Sequence, residues 1–154
     1  MSNEQENSVD RRQLVSALID GLPQQALVIS GLGSPSYDLF AAGDRELNFY
    51  LWGAMGGASS LALGLALAQP ARPVLAITGD GEQLMGIGSL ATIGAQQPDN
   101  LTLVVLDNGH YGETGMQPSH TSLGTDLVAV ARGFGIDDAF GVDSLEQVGE
   151  ILRR

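Results

Sequence analysis

Two unbroken apolar runs constrain the fold of this chain most strongly. The first, Val74–Thr78, follows a proline and reads Val-Leu-Ala-Ile-Thr, and the second, Leu101–Leu106, reads Leu-Thr-Leu-Val-Val-Leu. Strands that are buried on both faces of a parallel sheet have this continuous apolar character. Residues 82–96, which separate the two runs, are long enough for a helix and its turn. We therefore predict a strand–helix–strand unit, which places both strands parallel in one sheet.

The rest of the chain continues the alternation of helices and strands. Asp10 is expected to cap the first helix. Further helices are predicted over 11–20, 36–41, 58–68, 126–133 and 144–153, and further strands over 26–30, 48–51 and 139–142. This pattern predicts an α/β fold with a mostly parallel, doubly wound sheet and helices on both faces. Residues 1–8 are expected to be a flexible tail and residues 9–154 a single domain.

Composition excludes several classes of function. The net charge of −11 would repel nucleic acid and anionic membranes, so neither is expected as a partner. The absence of cysteine excludes disulfides and cysteine-bound zinc. Residues 1–10 lack the apolar core of a signal peptide. The apolar stretch over 51–68 is rich in Gly and Ala and is interpreted as a core helix, so a cytoplasmic location is expected.

Polar residues follow both apolar runs at the same predicted edge of the sheet. Gly79-Asp80-Gly81 ends the first run, and Asn108 follows the second. Asp80 alone would repel an anionic ligand. A Mg²⁺ ion between Asp80 and the ligand would attract both, and Mg²⁺ prefers oxygen ligands. The turn after Asn108, which contains His110, could expose a backbone carbonyl as a third ligand. Two ordinary strand-end turns are the alternative, because Asp, Asn and Gly all favour turns.

Gly-Asp-Gly followed by Asn at this spacing resembles the cofactor motif of thiamine diphosphate-dependent enzymes. Residues 48–60 resemble the segment that lies under the cofactor's aminopyrimidine in that family, and residues 114–118 (Thr-Gly-Met-Gln-Pro) resemble a loop of its sulfopyruvate and phosphonopyruvate decarboxylases. The resemblance covers residues 26–136 and concerns the diphosphate-binding (PP) domain. The chain resembles in particular the β subunit of the two-chain decarboxylases.

The resemblance implies a role for individual residues. The side chains of Asp80 and Asn108 and the backbone carbonyl of His110 would bind Mg²⁺. Met55 would hold the cofactor in a bent shape, and a core methionine is the less favoured alternative. The carbonyl of Gly53 would accept a hydrogen bond from the cofactor's 4′-amino group. The full set of implied cofactor-binding residues is Gly33, Ser34, Gly53, Met55, Gly79, Asp80, Gly81, Glu82, Asn108 and Tyr111.

The resemblance also implies a partner subunit. In this family a glutamate that activates the cofactor's pyrimidine lies in a separate pyrimidine-binding (PYR) domain, which this chain is too short to contain. We therefore expect a hetero-oligomer, α2β2 or larger, that acts on a small 2-oxoacid, and we expect the chain alone to be inactive. A carboligase of the acetolactate synthase type and a non-catalytic cofactor-binding module are the alternatives. A dinucleotide site is disfavoured because Ser36 stands where its third glycine is needed.

Residues 107–125 are glycine-rich and aperiodic and are predicted to form a long functional loop. His110 and His120 in this loop could transfer protons or bind a substrate anion, or they could be solvated loop residues. Glu113 could act on a reaction intermediate. These three residues are the candidate catalytic groups. Gln117 and Ser119 are expected to donate hydrogen bonds to an acid group of the substrate.

Overall fold

A computed structural model describes residues 9–153, so the tail predicted over residues 1–8 lies outside the described residues. Four strands form one sheet in the order β2-β1-β3-β4, and every neighbouring pair is parallel. The strands are β1 (Leu27–Ser30), β2 (Asn48–Tyr50), β3 (Val74–Gly79) and β4 (Leu101–Leu106). Two short strands, β5 (His110–Tyr111) and β6 (Gln117–Pro118), pair antiparallel within the predicted loop.

The helices connect these strands and lie on both faces of the sheet. They are α1 (Arg11–Gly21), α2 (Ser34–Ala42), α3 (Ala58–Ala68), α4 (Asp80–Met85), α5 (Ser89–Gln96), α6 (Leu127–Gly133) and α7 (Val148–Ile151). On β3, Leu75 and Ile77 pack in one cluster with α1, α2 and α7, whereas Val74 and Ala76 pack in another with α3. Successive side chains of a strand point to opposite faces, so both faces are covered. The predicted parallel, doubly wound α/β fold is confirmed.

Two ion pairs to the buried carboxylate of Asp38 join α1 to α2. The Asp38 side chain is fully buried, and its two oxygens accept from Nε of Arg11 at 2.6 Å and from Nε of Arg12 at 3.3 Å. Asp10 caps α1, as predicted, by accepting from the backbone N–H groups of Arg12 and Gln13. The first helix is thereby fixed at its N-terminus, and α2 is held beside it.

The prediction of one continuous helix over 82–96 is wrong, because the structure divides this segment into α4 and α5. The interruption follows from a close backbone contact at Gly86. A Cβ atom at Gly86 would lie 2.1 Å from the carbonyl oxygen of Gly56, which itself has a φ of +85°. The loop between β2 and α3 therefore packs directly on the chain that follows α4. Only glycine permits this approach.

The predicted strand over 139–142 is also wrong. Residues 139–142 do not adopt strand conformation, and Phe140 and Val142 pack against the cluster that contains α1 and α7. The helix predicted over 144–153 is shortened to α7 after a 3₁₀ turn at Leu145–Gln147. The Gln147 side chain turns back and accepts from the backbone N–H groups of Asp143 and Ser144, which fixes this start. No helix within residues 9–153 has the length and apolarity of a membrane span.

We predict opposite effects of two glycine substitutions. Gly86→Ala should lower the free energy of unfolding by about 1–3 kcal/mol, because the new methyl group overlaps the Gly56 carbonyl. Gly64→Ala should raise it by about 0.5–1 kcal/mol, because Gly64 lies inside α3 with open space around it. Urea denaturation followed by circular dichroism measures both. Equal stabilities of the two variants would contradict the close contact.

Candidate functional site

Asp80 is a buried carboxylate at the carboxyl edge of the sheet. Strand β3 ends at Gly79, α4 begins at Asp80, and only 2% of Asp80 is exposed. Its Oδ2 accepts a short hydrogen bond from the Ser119 hydroxyl and lies 3.2 Å from Oγ1 of Thr121. The ion pairs found in the described part of the chain are both on Asp38. A buried carboxylate held only by neutral hydroxyls is costly unless a cation approaches it.

The end of β4 lies beside Asp80, as the sequence predicts. Gly79 and Leu106 are paired in register, so the residues that follow them are neighbours. Oγ1 of Thr121 lies 2.7 Å from Asp107 and connects the two strand ends. Its single proton goes to the nearer Asp107 oxygen, because Ser119 already donates to Asp80.

Asn108 forms a tight turn with His110 at this edge. Its side-chain oxygen accepts from the backbone N–H of His110 at 2.9 Å, and its backbone oxygen lies 2.9 Å from Nδ1 of His110. Both residues line the cavity described below. The amide oxygen of Asn108 keeps a second lone pair that can face a metal ion.

Ser119 was expected to bind the substrate, and that expectation is wrong. The residue is fully buried, its hydroxyl donates to Asp80, and its N–H donates to the Gly109 carbonyl at 2.8 Å. Gln117 is exposed and hydrogen-bonds to Thr114, both through its side-chain oxygen and through its amide nitrogen. Ser119 thus fixes the carboxylate of Asp80 and is unavailable to a ligand.

The loop after β1 meets the long loop through Glu113. Gly33 has a φ of +81°, and a Cβ atom there would lie 2.6 Å from Cγ of Glu113. Ser34 starts α2 and lines the cavity. The candidate catalytic residue Glu113 and the candidate cofactor residues Gly33 and Ser34 are therefore brought together from distant parts of the sequence.

Tyr111 packs its ring directly against the Gly-Asp-Gly motif. A Cβ atom at Gly81 would lie 2.5 Å from Cδ1 of Tyr111, so a side chain at Gly81 would displace the ring. Glycine at this position thus serves the approach of an aromatic ring. Both Gly81 and Tyr111 line the cavity.

The Glu82 side chain joins two neighbouring segments of the chain. Its Oε2 accepts from the Leu32 N–H at 3.0 Å and from the Thr78 hydroxyl at 2.9 Å. Burial raises the pKa of this carboxyl, and the hydrogen bonds from the Thr78 hydroxyl and the Leu32 backbone oppose the rise. The side chain therefore links β3 to the loop after β1.

One cavity of about 1120 Å³ joins most of these residues and continues along β4. Its lining includes these predicted site residues: Ser34, Met55, Gly79, Asp80, Gly81, Glu82, Asn108, His110, Tyr111 and Glu113. Three others lie outside that lining. Gly33 is covered by Glu113, Gly53 is exposed with a φ of +74°, and His120 is exposed. Placing His120 among the catalytic residues finds no support in this geometry.

Within residues 9–153, no three His, Cys, Asp or Glu side chains group into a metal-binding cluster. A cation beside Asp80 would therefore need amide and main-chain oxygens as further ligands, and Asn108 and the turn at His110 offer both. Mg²⁺ accepts such a sparse set of protein ligands because phosphate and water oxygens complete its octahedron. The donor set around Asp80 fits this ion.

A parallel α/β sheet with a buried carboxylate and glycine loops at its carboxyl edge defines a domain that binds a ligand at that edge. Comparison with known families identifies the class. Residues 36–154 match the family described as thiamine pyrophosphate enzyme, C-terminal TPP binding domain. The chain belongs to this family.

Curated relatives narrow the comparison. Sulfopyruvate decarboxylase subunit beta of Methanocaldococcus jannaschii is 42% identical over 89% of this chain and 72% of its own length. Phosphonopyruvate decarboxylase of Streptomyces viridochromogenes is 44% identical over 88% of this chain and 34% of its own length. The solved structure of 4-hydroxybenzoylformate decarboxylase from Rhodococcus jostii RHA1 covers all of this chain and 32% of its own, with a TM-score of 0.80 at 22% identity.

These findings confirm the family, the fold and the prediction of an enzyme chain of the carboxy-lyase type. The chain spans about three quarters of the β-subunit relative and about a third of the single-chain relative. The name "subunit beta" implies a partner for that relative. The individual site residues stay predictions.

Three residues that shape the site were missed or misplaced by sequence reasoning. Asp107 and Thr121 were not singled out, and Ser119 was given a different role. A signal existed for Asp107, because it directly follows β4 as Asp80 follows β3. No pattern marks Ser119 or Thr121, because their contacts to Asp80 span 39 and 41 residues.

We predict a pH-dependent stability effect of Glu82→Gln. The folded-state pKa of Glu82 lies above its ordinary value of 4.5, so the folded chain retains a proton that the unfolded chain has released. Its ionisation therefore lowers the free energy of unfolding as pH rises above that value toward the folded pKa. Glu82→Gln should flatten this decline.

Urea denaturation in the presence of a metal chelator, between about pH 4.5 and about pH 7, measures the slope. Glu46→Gln removes an exposed carboxylate and controls for the change in net charge. An unchanged slope in Glu82→Gln would contradict the assignment.

Proposed function

We propose that the chain is the Mg²⁺- and thiamine diphosphate-binding subunit of a 2-oxoacid decarboxylase of the sulfopyruvate or phosphonopyruvate type. The observation that carries the proposal is the buried Asp80 carboxylate, which accepts from the Ser119 hydroxyl but has no ion pair within residues 9–153, at the edge where the parallel strands end. The names of the relatives support the type of substrate. A cytoplasmic location is part of the proposal.

The residues at the edge suit the cofactor and its ion. Asp80, the Asn108 side chain and the backbone carbonyl of His110 would hold Mg²⁺. The backbone N–H groups of Gly81 and Glu82 would bind the diphosphate, with Gly33 and Ser34 on its other side. When bound, thiamine diphosphate supplies a carbon nucleophile and stores the electron pair released with carbon dioxide.

The chain's other residues would orient the cofactor and exclude water. Met55 would support it from below, and the Gly53 carbonyl would accept from its amino group. The Gly79 backbone has open space around it, and Tyr111 closes the side next to Gly81. Glu113 and His110 line the cavity and would hold or move a proton near the substrate.

The substrate's acid group requires positive charge from another chain. Arg11 and His110 are the basic residues in the described lining of the cavity, and Arg11 is engaged by Asp38. A PYR-domain subunit would supply the missing cations and the glutamate for the pyrimidine. We propose a hetero-oligomer, α2β2 or larger, with the active site between the two kinds of chain.

Asp80→Asn should weaken Mg²⁺-dependent binding of thiamine diphosphate about 100-fold or more. The amide keeps an acceptor for Ser119 but removes the charge that the ion requires. Isothermal titration of the assembled complex measures the affinity. Asp99→Asn makes the same chemical change at an exposed carboxylate before the start of β4, outside the lining of the cavity, and should alter affinity less than about threefold. Equal losses in the two variants would argue against Asp80 as the metal ligand.

The purified chain should not turn over sulfopyruvate or phosphonopyruvate with thiamine diphosphate and Mg²⁺. Co-expression with the product of the neighbouring reading frame should restore carbon dioxide release, because that chain supplies the missing glutamate. A coupled assay for the aldehyde product distinguishes decarboxylation from carboligation. Turnover by the chain alone would refute the need for a partner.

A further inference from the structure

Helix α2 exposes an apolar stripe to solvent as well as burying one. Its inner face, which includes Pro35, Asp38 and Leu39, is buried. Its outer face carries Tyr37, which is 54% exposed, and Phe40, which is 62% exposed. A helix that covers a core normally has polar residues on its outer face, so this arrangement requires a separate explanation.

Aromatic residues of β2 and of the loop that follows it extend the stripe into a patch. Trp52 is 54% exposed and meets Tyr37 edge to face, with ring centroids 5.8 Å apart. Tyr50 on β2 meets Phe40 in the same way at 6.4 Å. We call these four residues, Tyr37, Phe40, Tyr50 and Trp52, the aromatic patch. Single exposed aromatics are ordinary, but a contiguous group is typical of a binding surface.

The aromatic patch adjoins the candidate site. Trp52 directly precedes Gly53, which is assigned to the cofactor's amino group, and α2 begins at Ser34, which lines the cavity. A chain that completes the site from this side must pass over the patch. Exposed carboxylates at Asp44 and Glu46 follow the far end of α2 and would attract basic residues.

We propose that the aromatic patch is the docking surface for the second subunit of the decarboxylase, with Phe40 and Trp52 as its anchors. The proposal rests on the proposed function, because the occupant is the chain that completes the site. That subunit would present an apolar pocket to the patch and basic side chains toward Asp44 and Glu46. The patch would thereby couple assembly to formation of the cofactor site.

Variants of exposed residues test the surface. Phe40→Ser should weaken association with the second subunit, identified as the chain that restores decarboxylation, by about tenfold or more. Leu67→Ser on α3 and Leu145→Ser are matched controls, because both residues are exposed apolar side chains outside the patch. Each should change the affinity less than about threefold. Sedimentation velocity measures association, and thermal melting of each free variant checks its fold.

The single tryptophan of the chain gives a direct probe of docking. With 5-fluorotryptophan incorporated in this chain alone, Trp52 gives one fluorine resonance, whose solvent isotope shift reports exposure. The shift should disappear when the unlabelled second subunit is added. Persistence of the shift in the complex would overturn the proposal. Weakened association of Leu67→Ser with the second subunit, together with normal association of Phe40→Ser, would also overturn it.

A second copy of this chain is the competing occupant. If the isotope shift disappears on concentrating the chain alone, and Phe40→Ser prevents this, the patch is a homodimer surface and the proposal is wrong. Failure of the proposed function has a different result. If the proposed function is wrong, no wild-type complex forms and no thiamine diphosphate binds. If only the docking proposal is wrong, the wild-type complex is active and Trp52 stays exposed in it.

Discussion

The burial of one carboxylate, Asp80, is the constraint on which the rest of the site depends. A charge in this position is tolerated only if hydroxyl donors hold it and a cation can approach it. The chain meets the first condition by folding the long loop back so that the Ser119 hydroxyl reaches Asp80 at the end of β3. For the second condition, Asp80 and Asn108 both line the cavity at this edge of the sheet. The hairpin of β5 and β6 thus brings Ser119, which directly follows β6, to Asp80.

Close contacts at glycine positions join the loops of the site to each other. Gly86 touches Gly56, Gly33 lies under Glu113, and Gly81 lies under Tyr111. Each contact joins two different connections of the sheet, which the strands alone would leave independent. The buried Glu82 adds hydrogen bonds between the same segments. The walls of the cavity are therefore in direct contact with one another.

The charge of the cavity lining and the aromatic patch both agree with the proposed partner subunit. The cavity wall that it supplies carries acidic, amide and aromatic groups and very little positive charge. The aromatic patch continues from this wall across α2 and β2. Both features are what the proposed function requires, in which this chain would hold the metal and the diphosphate and a partner would recognise the anionic substrate. The matched region makes up 72% of a chain named subunit beta in one relative and 34% of a longer chain in another.

The sequence by itself determined the parallel α/β fold, the strand ends that carry Asp80 and Asn108, and the family, because these depend on apolar runs and on residues near one another in the chain. Only the tertiary structure decided that α4 and α5 are separate, that residues 139–142 do not form a strand, and that Ser119 binds Asp80 rather than a substrate. These outcomes depend on contacts between residues far apart in sequence, such as Gly56 with Gly86 and Asp80 with Ser119, for which local patterns contain no information.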